Sequence, residues 1–284
     1  ARLEDEKVAT SISHIRSKNT IDENTKSILT NKESIKNNNE EIERLNKNIE
    51  ELNNFKRDAW LKILLSNAPK KEKLKVLDVG AGPGLFSILM SLAGNEVTAV
   101  DVTEEMLENA KHNAKHFDLD MNFVQIDGVN LPFEDNSFDF IISRNVVWNL
   151  EYPKEVFKEW KRLLDKDGRV VYFDANWYLH LFDENQNKKV KEDMKNMEIL
   201  FNNNLENKEV FAHGNVSSEE LMALEEIARQ LVLSKEVRPA WDIKALKECG
   251  YDIIKVDENM GRYVWDEKQK LENKSRPLFM IVAK

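Results

Sequence analysis

Cysteine is nearly absent from the sequence, since Cys249 is the only one among 284 residues. A single thiol excludes an intrachain disulfide and a cysteine-based metal cluster. Its position between Glu248 and Gly250, near a predicted helix end, favours a packing role over a nucleophilic one. Long apolar runs are also missing, and the N-terminal stretch ARLEDEKVAT lacks the apolar region of a signal peptide. We therefore expect a cytoplasmic protein that does not associate with membranes.

Basic residues are outnumbered by acidic ones, with 42 Lys and Arg against 51 Asp and Glu, and the formal net charge is −9. Proteins that bind nucleic acid without sequence preference usually carry a basic stripe. We therefore do not expect a nucleic-acid partner. The hydrophobic fraction of 41% is enough for a core, whereas 33% charged residues indicate that part of the chain is less globular.

Glycine and proline are missing from residues 1–54, a polar segment rich in asparagine. Isoleucine recurs there every seventh residue, at Ile21, Ile28, Ile35, Ile42 and Ile49, and leucine follows at Leu45 and Leu52. This heptad pattern predicts a long helix that forms a coiled coil, either as a homodimer through residues 21–52 or with another partner helix. The other seam positions hold asparagine, at Asn24, Asn31 and Asn38. A partly frayed helix that lies on its own domain is therefore the alternative.

Residues 55–284 are predicted to form one domain in which strands alternate with helices. The predicted strands are 74–79, 96–101, 122–125, 138–143, 169–174, 251–257 and 277–283. The predicted helices are 55–68, 85–93, 103–116, 153–164 and 241–248, and residues 165–168 form a turn. This alternation predicts an α/β domain with a doubly wound, mostly parallel seven-stranded sheet.

An insertion at 175–237 interrupts the alternation of strands and helices. It contains the aromatic cluster NWYLHLF and two charged helical stretches, 188–201 and 218–231. Ligands bind beyond the carboxyl ends of the strands in open α/β sheets. We therefore expect the insertion to form a helical lid at this edge.

A glycine-rich turn joins the first predicted strand to the helix that starts at Leu85. Gly80, Gly82 and Gly84 allow unusual backbone conformations and let a ligand approach the main chain closely. A strand, a glycine loop and a helix N-terminus together are typical of a nucleotide-binding turn. A dinucleotide fingerprint would require Gly or Ala in place of Leu85, which makes a dinucleotide less favoured. An ordinary tight turn is the alternative.

Asp101 ends the second predicted strand, about twenty residues after Gly80. A carboxylate at this position can accept hydrogen bonds from both hydroxyl groups of a ribose. A cap before the following helix, for which Thr103 is placed, is the alternative. We favour the ribose role because this acid accompanies the glycine loop.

The third glycine, Gly84, gives the loop a G-x-G-x-G form that resembles motif I of the class I S-adenosylmethionine-dependent methyltransferases. The segments QIDGVNLPFEDNSFD, 125–139, and SRNVVWNL, 143–150, also resemble this family. They are most similar to small-molecule enzymes of the ubiquinone/menaquinone-biosynthesis type and differ from the Asn-Pro-Pro-Tyr loop of nucleic-acid methyltransferases. The resemblance covers 55–284 and implies a Rossmann-like methyltransferase fold.

The resemblance implies S-adenosylmethionine as the cofactor and S-adenosylhomocysteine as the product. It places Asp78 near the methionine amino group, and Asp127, Gly128 and Val129 at the adenine. The cofactor-binding residues that it implies are Asp78, Gly80, Ala81, Gly82, Gly84, Asp101, Val102, Asp127, Gly128, Val129 and Asn145.

The resemblance also places Asn145 and Trp148 beside the reacting methyl group. Tyr178 and His180 are candidate catalytic residues near the same pocket, although a structural imidazole is the alternative for His180. The rings of Trp148, Trp177 and Tyr178 form either an aromatic wall for a cationic or planar acceptor or the core of the lid.

Several other titratable residues are weaker candidates. Asp174 is a further candidate base. Three arginines in the C-terminal part can meet a carboxylate or phosphate of the acceptor, although solvation at the surface is the more ordinary expectation for each: Arg238, Arg262 and Arg276. His112 and His116 lie one helical turn apart, but no third ligand is evident, so we predict no metal site.

These observations predict methyl transfer to a small-molecule acceptor by in-line displacement, accelerated mainly by positioning. A different transfer from the same cofactor, that of the aminocarboxypropyl group, is one alternative. A cofactor-binding coiled-coil scaffold without catalysis is the other.

Overall fold

The structure is a computed structural model that describes Leu52 and residues 54–126, 129–201 and 218–284. The predicted heptads up to residue 51 lie outside the described residues. Leu52, the last leucine of the heptad, is only 1% exposed and belongs to the same buried cluster as Trp60 and Leu64. This leucine is therefore part of the core of the α/β domain.

Helices and strands alternate along the described chain. The strands are β1 Lys75–Val79, β2 Glu96–Asp101, β3 Asn122–Gln125, β4 Phe138–Arg144, β5 Leu164–Asp174, β6 Ile253–Asp257 and β7 Phe279–Ala283. The helices are α1 Phe55–Asn67, α2 Leu85–Leu92, α3 Glu104–His116, α4 Pro153–Leu163, α5 Glu184–Phe201, α6 Ser218–Gln230, α7 Ala240–Glu248, α8 Gly261–Val264 and α9 Glu267–Glu272. Short 3₁₀ turns lie at Val147–Asn149, Leu179–Leu181 and Val232–Lys235.

All seven strands form one sheet in the order β3-β2-β1-β4-β5-β7-β6. In the sheet, the five neighbouring strands β3, β2, β1, β4 and β5 pair in parallel. Strand β7 is antiparallel to both β5 and β6. The predicted doubly wound, mostly parallel sheet of seven strands is confirmed. The order reverses between β1 and β4, and a ligand-binding crevice is expected at such a switch point.

Both faces of the sheet are covered by aromatic clusters, because consecutive residues of a strand point to opposite sides. On β5, Phe173 meets Trp60 of α1 edge to face, with ring centroids 4.9 Å apart. The preceding Tyr172 faces the other side, where its ring lies 5.9 Å from that of Phe157 in α4. The sheet is therefore buried on both sides, as parallel sheets require.

The structure differs from the sequence prediction around the predicted turn at 165–168. Strand β5 already begins at Leu164, which pairs with Phe138, and the next pair joins Arg169 to Phe140. Residues 165–168 therefore loop out of the pairing as an irregularity within the strand. The short helices α8 and α9 were not predicted, because four and six residues give too short an amphipathic pattern.

The described parts of the insertion pack around the carboxyl ends of β4 and β5, where the sequence predicts a lid. The turn Val232–Lys235 contacts both other 3₁₀ turns, and α5 packs on Leu179–Leu181. Helix α5 begins at Glu184, earlier than predicted. Among the helices that the structure describes, none combines the length and the apolar composition needed to cross a membrane.

Candidate active site

The glycine loop is a tight turn with open space beside one of its three glycines. Gly80, Gly82 and Gly84 all have positive φ angles, of 66°, 54° and 87°. The N–H groups of Gly80 and Ala81 both donate to the carbonyl of Val100, at 2.9 and 3.0 Å, which anchors the loop to β2. A Cβ atom at Gly82 would have no neighbour within 4 Å. The main chain at Gly82 is therefore open to a ligand.

The same loop meets the segment that follows β4. A Cβ atom at Gly80 would come within 2.2 Å of a methyl carbon of Val146. Glycine is thus required at position 80 both by its φ angle and by the close approach of a neighbouring side chain. The two loops that flank the switch point of the sheet are packed directly against each other.

Asp101 lies beside the open backbone of Gly82. Its Oδ2 accepts a hydrogen bond from the Gly82 N–H at 2.9 Å, and its Oδ1 accepts one from the Thr103 N–H at 3.0 Å. The second bond fixes the turn that precedes α3, whose N-cap residue Thr103 makes no capping bond with its own side chain. Each carboxylate oxygen keeps a further lone pair for a ligand. The adjacent Val102 is 62% exposed and offers an apolar surface at the same edge.

Asp78 is buried beneath the loop, with an exposure of 2%. Ser87 on α2 donates its hydroxyl to Oδ2 at 2.6 Å. Burial raises the pKa of Asp78 to about 6, although the bond from Ser87 opposes this shift. The carboxylate thus contacts the first turns of α2, where it supports the glycine loop from below.

The predicted adenine residues are only partly described. Asp127 and Gly128 lie outside the described residues. Val129 is half-buried and packs against the cluster on the α4 side of the sheet. Their assignment to the adenine stays a prediction.

The loop after β4 carries two of the predicted catalytic residues. Asn145 is exposed and has a positive φ of 57°, a conformation that asparagine tolerates better than most residues. Its N–H donates to the carbonyl of Phe173 at 2.8 Å, and its carbonyl accepts the indole N–H of Trp148 at 2.9 Å. These bonds fix Trp148 relative to the ends of β4 and β5.

Trp148 is the first member of a row of three rings. Its ring centroid lies 5.1 Å from that of Tyr178, which in turn lies 6.1 Å from the imidazole of His180. The structure therefore brings the four predicted catalytic residues together: Asn145, Trp148, Tyr178 and His180. Tyr178 is 5% exposed and belongs to the buried cluster of the α1 side, so it is also part of the core.

His180 is neutral at physiological pH. Burial lowers its pKa to about 4, and the charges of Arg276 and Arg229 add to the effect. The imidazole is hydrogen-bonded to the backbone of Trp177, whereas the buried Nδ1 atom has no partner in the part of the chain that the structure describes. Burial likewise raises the pKa of Tyr178, so its phenol stays protonated.

Asp174, the last residue of β5, is fully buried and occupied by structural contacts. Its Oδ2 accepts the Trp148 N–H at 2.8 Å and lies 2.9 Å from the Arg238 guanidinium. Its Oδ1 accepts the indole N–H of Trp177 at 3.0 Å and the N–H of Ala175 at 2.9 Å. With both oxygens engaged, Asp174 is better placed to hold the loop and the lid together than to accept a proton.

Arg238 was expected at the surface, and this expectation is wrong. Its side chain is 1% exposed and contacts Asp174 and Asp242, with an Nη2 to Oδ1 distance of 2.6 Å to Asp242. The Tyr172 hydroxyl donates to the same Asp242 oxygen at 2.9 Å. Burial disfavours the charge of Arg238, but the two carboxylates outweigh it and raise its pKa. The sequence signal that could have indicated this pair is the four-residue spacing of Arg238 and Asp242.

The two other arginines differ from each other. Arg262 is exposed and pairs with Asp257 at 2.7 Å, as expected for a surface residue. Arg276 is 4% exposed, so the expectation of a surface position is wrong there. Burial lowers the pKa of the Arg276 guanidinium, and the carboxylates of Asp193 and Glu272 partly offset this effect.

The remaining candidates lie outside this region or face solvent. His112 and His116 are both exposed on α3. Cys249 is half-buried, and burial raises the pKa of its thiol. Its Sγ lies 3.6 Å from the carbonyl of Lys154, which fits packing between α7 and α4.

Comparison with known proteins identifies the central part of the chain. Residues 77–172 match the sequence profile of a family described as a methyltransferase domain. The chain is 34% identical over 120 residues to the demethylmenaquinone methyltransferase of Staphylococcus haemolyticus, across 41% of this chain and 50% of that protein. It is 32% identical over 115 residues to the uncharacterized methyltransferase YcgJ of Bacillus subtilis, across 40% of this chain and 46% of that protein. The chain thus spans about half the length of the curated relatives it matches.

A solved structure of an S-adenosylmethionine-dependent methyltransferase from Mesorhizobium loti has the same fold. Its TM-score is 0.54, at 18% identity, over 79% of this chain and 97% of that chain. The matched profile runs from β1 to β5 and includes the glycine loop and Asp101. Residues 77–172 therefore match a methyltransferase domain, and the chain shares its fold with an S-adenosylmethionine-dependent methyltransferase.

Proposed function

We propose that this chain transfers a methyl group from S-adenosylmethionine to a small-molecule acceptor. The observation that carries the proposal is the open backbone of Gly82 beside the Asp101 carboxylate, at the switch point of the sheet. Cofactors with a ribose bind at this position in doubly wound folds. The staphylococcal relative is named for a small molecule, demethylmenaquinone, which supports an acceptor of this general class.

The residues of the glycine loop fit such a cofactor. The free lone pairs of Asp101 can accept the two ribose hydroxyls, and the exposed side chain of Val102 can pack on the adenine. The empty space above Gly82 admits the amino-acid portion against the main chain. When bound, S-adenosylmethionine supplies an activated methyl group on a sulfonium.

The acceptor side supplies positioning more than acid–base chemistry. The paired rings of Trp148 and Tyr178 offer a flat apolar surface for the acceptor. His180 is neutral, and its Nδ1 has no hydrogen-bond partner among the described residues, but a pKa of about 4 makes it a weak base. An acceptor that already presents a lone pair, such as an amine or a thiolate, needs no stronger base. Alignment of the nucleophile with the methyl group is then the main contribution of the protein.

Neither alternative function is favoured by a specific contact in the described structure. The matched profile ends at residue 172, before Tyr178, His180 and the C-terminal arginines, so the acceptor of the relatives is not transferred to this chain.

Isothermal titration calorimetry with S-adenosylhomocysteine tests the cofactor assignment. We expect the wild-type chain to bind, and Asp101→Asn to bind about 10- to 100-fold more weakly, because hydrogen bonds to a carboxylate are lost. Asp120→Asn, which changes an exposed carboxylate before β3, is the matched control and should bind like the wild type. Equal affinities of the wild type and Asp101→Asn would overturn the ribose assignment, and absence of wild-type binding would overturn the proposed function.

A screen with isotopically labelled methyl donor tests the transfer itself. Pools of small amines, thiols and phenols are incubated with the wild-type chain, and labelled products are identified by mass spectrometry. We expect label in at least one small molecule. Label that enters only macromolecules would contradict the proposed acceptor class.

A further inference from the structure

Three arginines near the end of the chain differ in how their charge is compensated. Arg238 lies between two carboxylates, and Arg262 is paired with Asp257 in contact with solvent. Arg276 is 4% exposed, yet within the described part of the chain no carboxylate oxygen lies within 4.0 Å of its guanidinium. Among these three arginines, Arg276 is therefore the one whose guanidinium has no ion pair with a described carboxylate.

The hydrogen bonds of Arg276 do not replace the missing carboxylate. Its Nη2 donates to the backbone carbonyl of Glu272 over a long 3.3 Å, and its buried Nε has no partner among the described residues. The hydroxyl of Ser275, in the same turn, also has no partner there. A guanidinium stays charged at all physiological pH values, and a buried charge without a counter-ion is unfavourable. An additional anion in contact with the guanidinium would stabilise such a group.

Arg276 lies at the edge of the sheet where the acceptor side is located. It precedes β7, whose first residue, Phe279, is paired with Asp174 at the end of β5. The preceding Ser275 is held against α5, because its N–H donates to Asp193 at 2.7 Å and its carbonyl accepts from Gln186. Helix α5 in turn packs on the turn that carries His180.

The electrostatics agree with this placement. Burial raises the pKa of Tyr178 and lowers that of His180; the charge of Arg276 opposes the first shift and adds to the second, so it acts on the same row of rings. The charge of Arg229 on α6 also lowers the pKa of His180. Burial lowers the pKa of Arg276, and the carboxylates of Asp193 and Glu272 act to raise it. Asp193 already accepts a hydrogen bond from the Ser275 N–H.

We propose that Arg276 binds an anionic group of the methyl acceptor, a carboxylate or a phosphate, and that Ser275 contributes a second donor. This inference rests on the proposed methyl transfer to a small molecule and names the class of acceptor. The guanidinium presents donors in a planar fork that matches either anion. The acceptor then extends from the charged end at Arg276 toward the rings of Tyr178 and Trp148.

Binding of matched probes tests the anion site. Benzoate, phenyl phosphate and neutral benzamide are titrated into the wild-type chain with and without S-adenosylhomocysteine, and the 15N–1H signal of the Arg276 Nε is followed by NMR. We expect benzoate or phenyl phosphate to bind at least 10-fold more tightly than benzamide and to shift this signal. The stronger of the two anions identifies the group. Equal binding of the three probes, or an unshifted Nε signal, would overturn the proposal.

Substitution of Arg276 separates this proposal from the proposed function. Arg276→Met should bind S-adenosylhomocysteine like the wild type but lose the preference for the anions, and Arg276→Lys should keep a reduced preference. Arg262→Met, at an exposed arginine, is the matched control and should keep the full preference. An Arg276→Met chain that still prefers the anions would overturn the site. If this variant does not fold, the NMR result of the wild type decides. Absence of S-adenosylhomocysteine binding by the wild type overturns the proposed function, whereas the loss of anion preference tests the site at Arg276 separately.

Discussion

The two sides of the candidate active site are built in different ways. The cofactor side comes from a single stretch, Lys75 to Val102, and its specific features are backbone conformations and backbone N–H groups. The proposed acceptor side combines residues from four separate segments, around Trp148, Tyr178, Arg238 and Arg276, and the last two of these contribute buried charges. The same domain thus joins a local, backbone-built site to a tertiary, side-chain-built one.

The difference concerns what each side needs from the rest of the fold. A glycine loop between a strand and a helix takes its shape from the φ angles of its own residues. The pair of Arg238 and Asp174 has no such local cause, because it forms only when the insertion packs on the end of β5. We therefore expect substitutions on the acceptor side to affect stability more, and those on the cofactor side to affect ligand binding more.

The largest effect is expected for Arg238→Met. It leaves the carboxylates of Asp174 and Asp242 buried without a counter-ion, so the free energy of unfolding should fall by about 3–5 kcal/mol. Urea denaturation followed by circular dichroism measures the change. Arg262→Met removes an exposed pair and should cost less than about 1 kcal/mol. Equal costs of the two substitutions would contradict a structural role of the buried network.

The second effect is expected for Gly80→Ala on the cofactor side. The added Cβ overlaps the side chain of Val146 and adopts a φ of 66°, so the free energy of unfolding should fall by about 2–4 kcal/mol. Gly82→Ala is the matched control, because its φ is also positive but its Cβ meets nothing within 4 Å. It should cost about 1 kcal/mol in stability.

Gly82→Ala also tests whether the cofactor side acts on ligand binding more than on stability. A methyl group at Gly82 occupies the space that the cofactor would fill, so the affinity for S-adenosylhomocysteine should fall although the fold is kept. Calorimetric titration of Gly82→Ala measures this. An unchanged affinity would show that the open backbone at Gly82 is not used by the cofactor.

Sequence reasoning succeeded where the chemistry is local. The spacing of Gly80, Gly82 and Asp101 predicted that these residues lie together, and Asp101 is hydrogen-bonded to Gly82 at the switch point; their role in cofactor binding stays a prediction. The sequence also predicted that the rings of Trp148 and Tyr178 group together, and their centroids lie 5.1 Å apart. It failed for Arg238 and Arg276, because charged residues are ordinarily exposed and nothing in the local pattern records burial by a distant segment. The short helices α8 and α9 were not predicted, because four and six residues are too few to show a helical hydrophobic periodicity.

The third effect concerns the pH dependence caused by Asp78. Its pKa is raised from 3.8 to about 6 in the folded chain, so the folded state binds more protons than the unfolded state between these values. The free energy of unfolding therefore falls as the pH rises from about 4 to 6, by up to about 3 kcal/mol. Asp78→Asn removes the charge and should be more stable than the wild type above pH 6 but not at pH 4. Urea denaturation across this range measures the difference, and parallel curves would contradict the shift.

The smallest effect is expected for His180→Gln. In the wild type, His180 changes the free energy of unfolding with pH in the opposite direction to Asp78. The pKa of His180 falls from 6.5 to about 4 on folding, so between these values the unfolded state binds more protons and stability rises with pH. Because the imidazole is partly exposed, the effect should be about 1–2 kcal/mol. From pH 4 to 6 the contributions of His180 and Asp78 oppose each other in the wild type. His180→Gln should therefore lose stability more steeply as the pH rises, whereas Asp78→Asn should gain it. Two variants whose slopes change in the same direction would contradict the contrast between the two sides of the site.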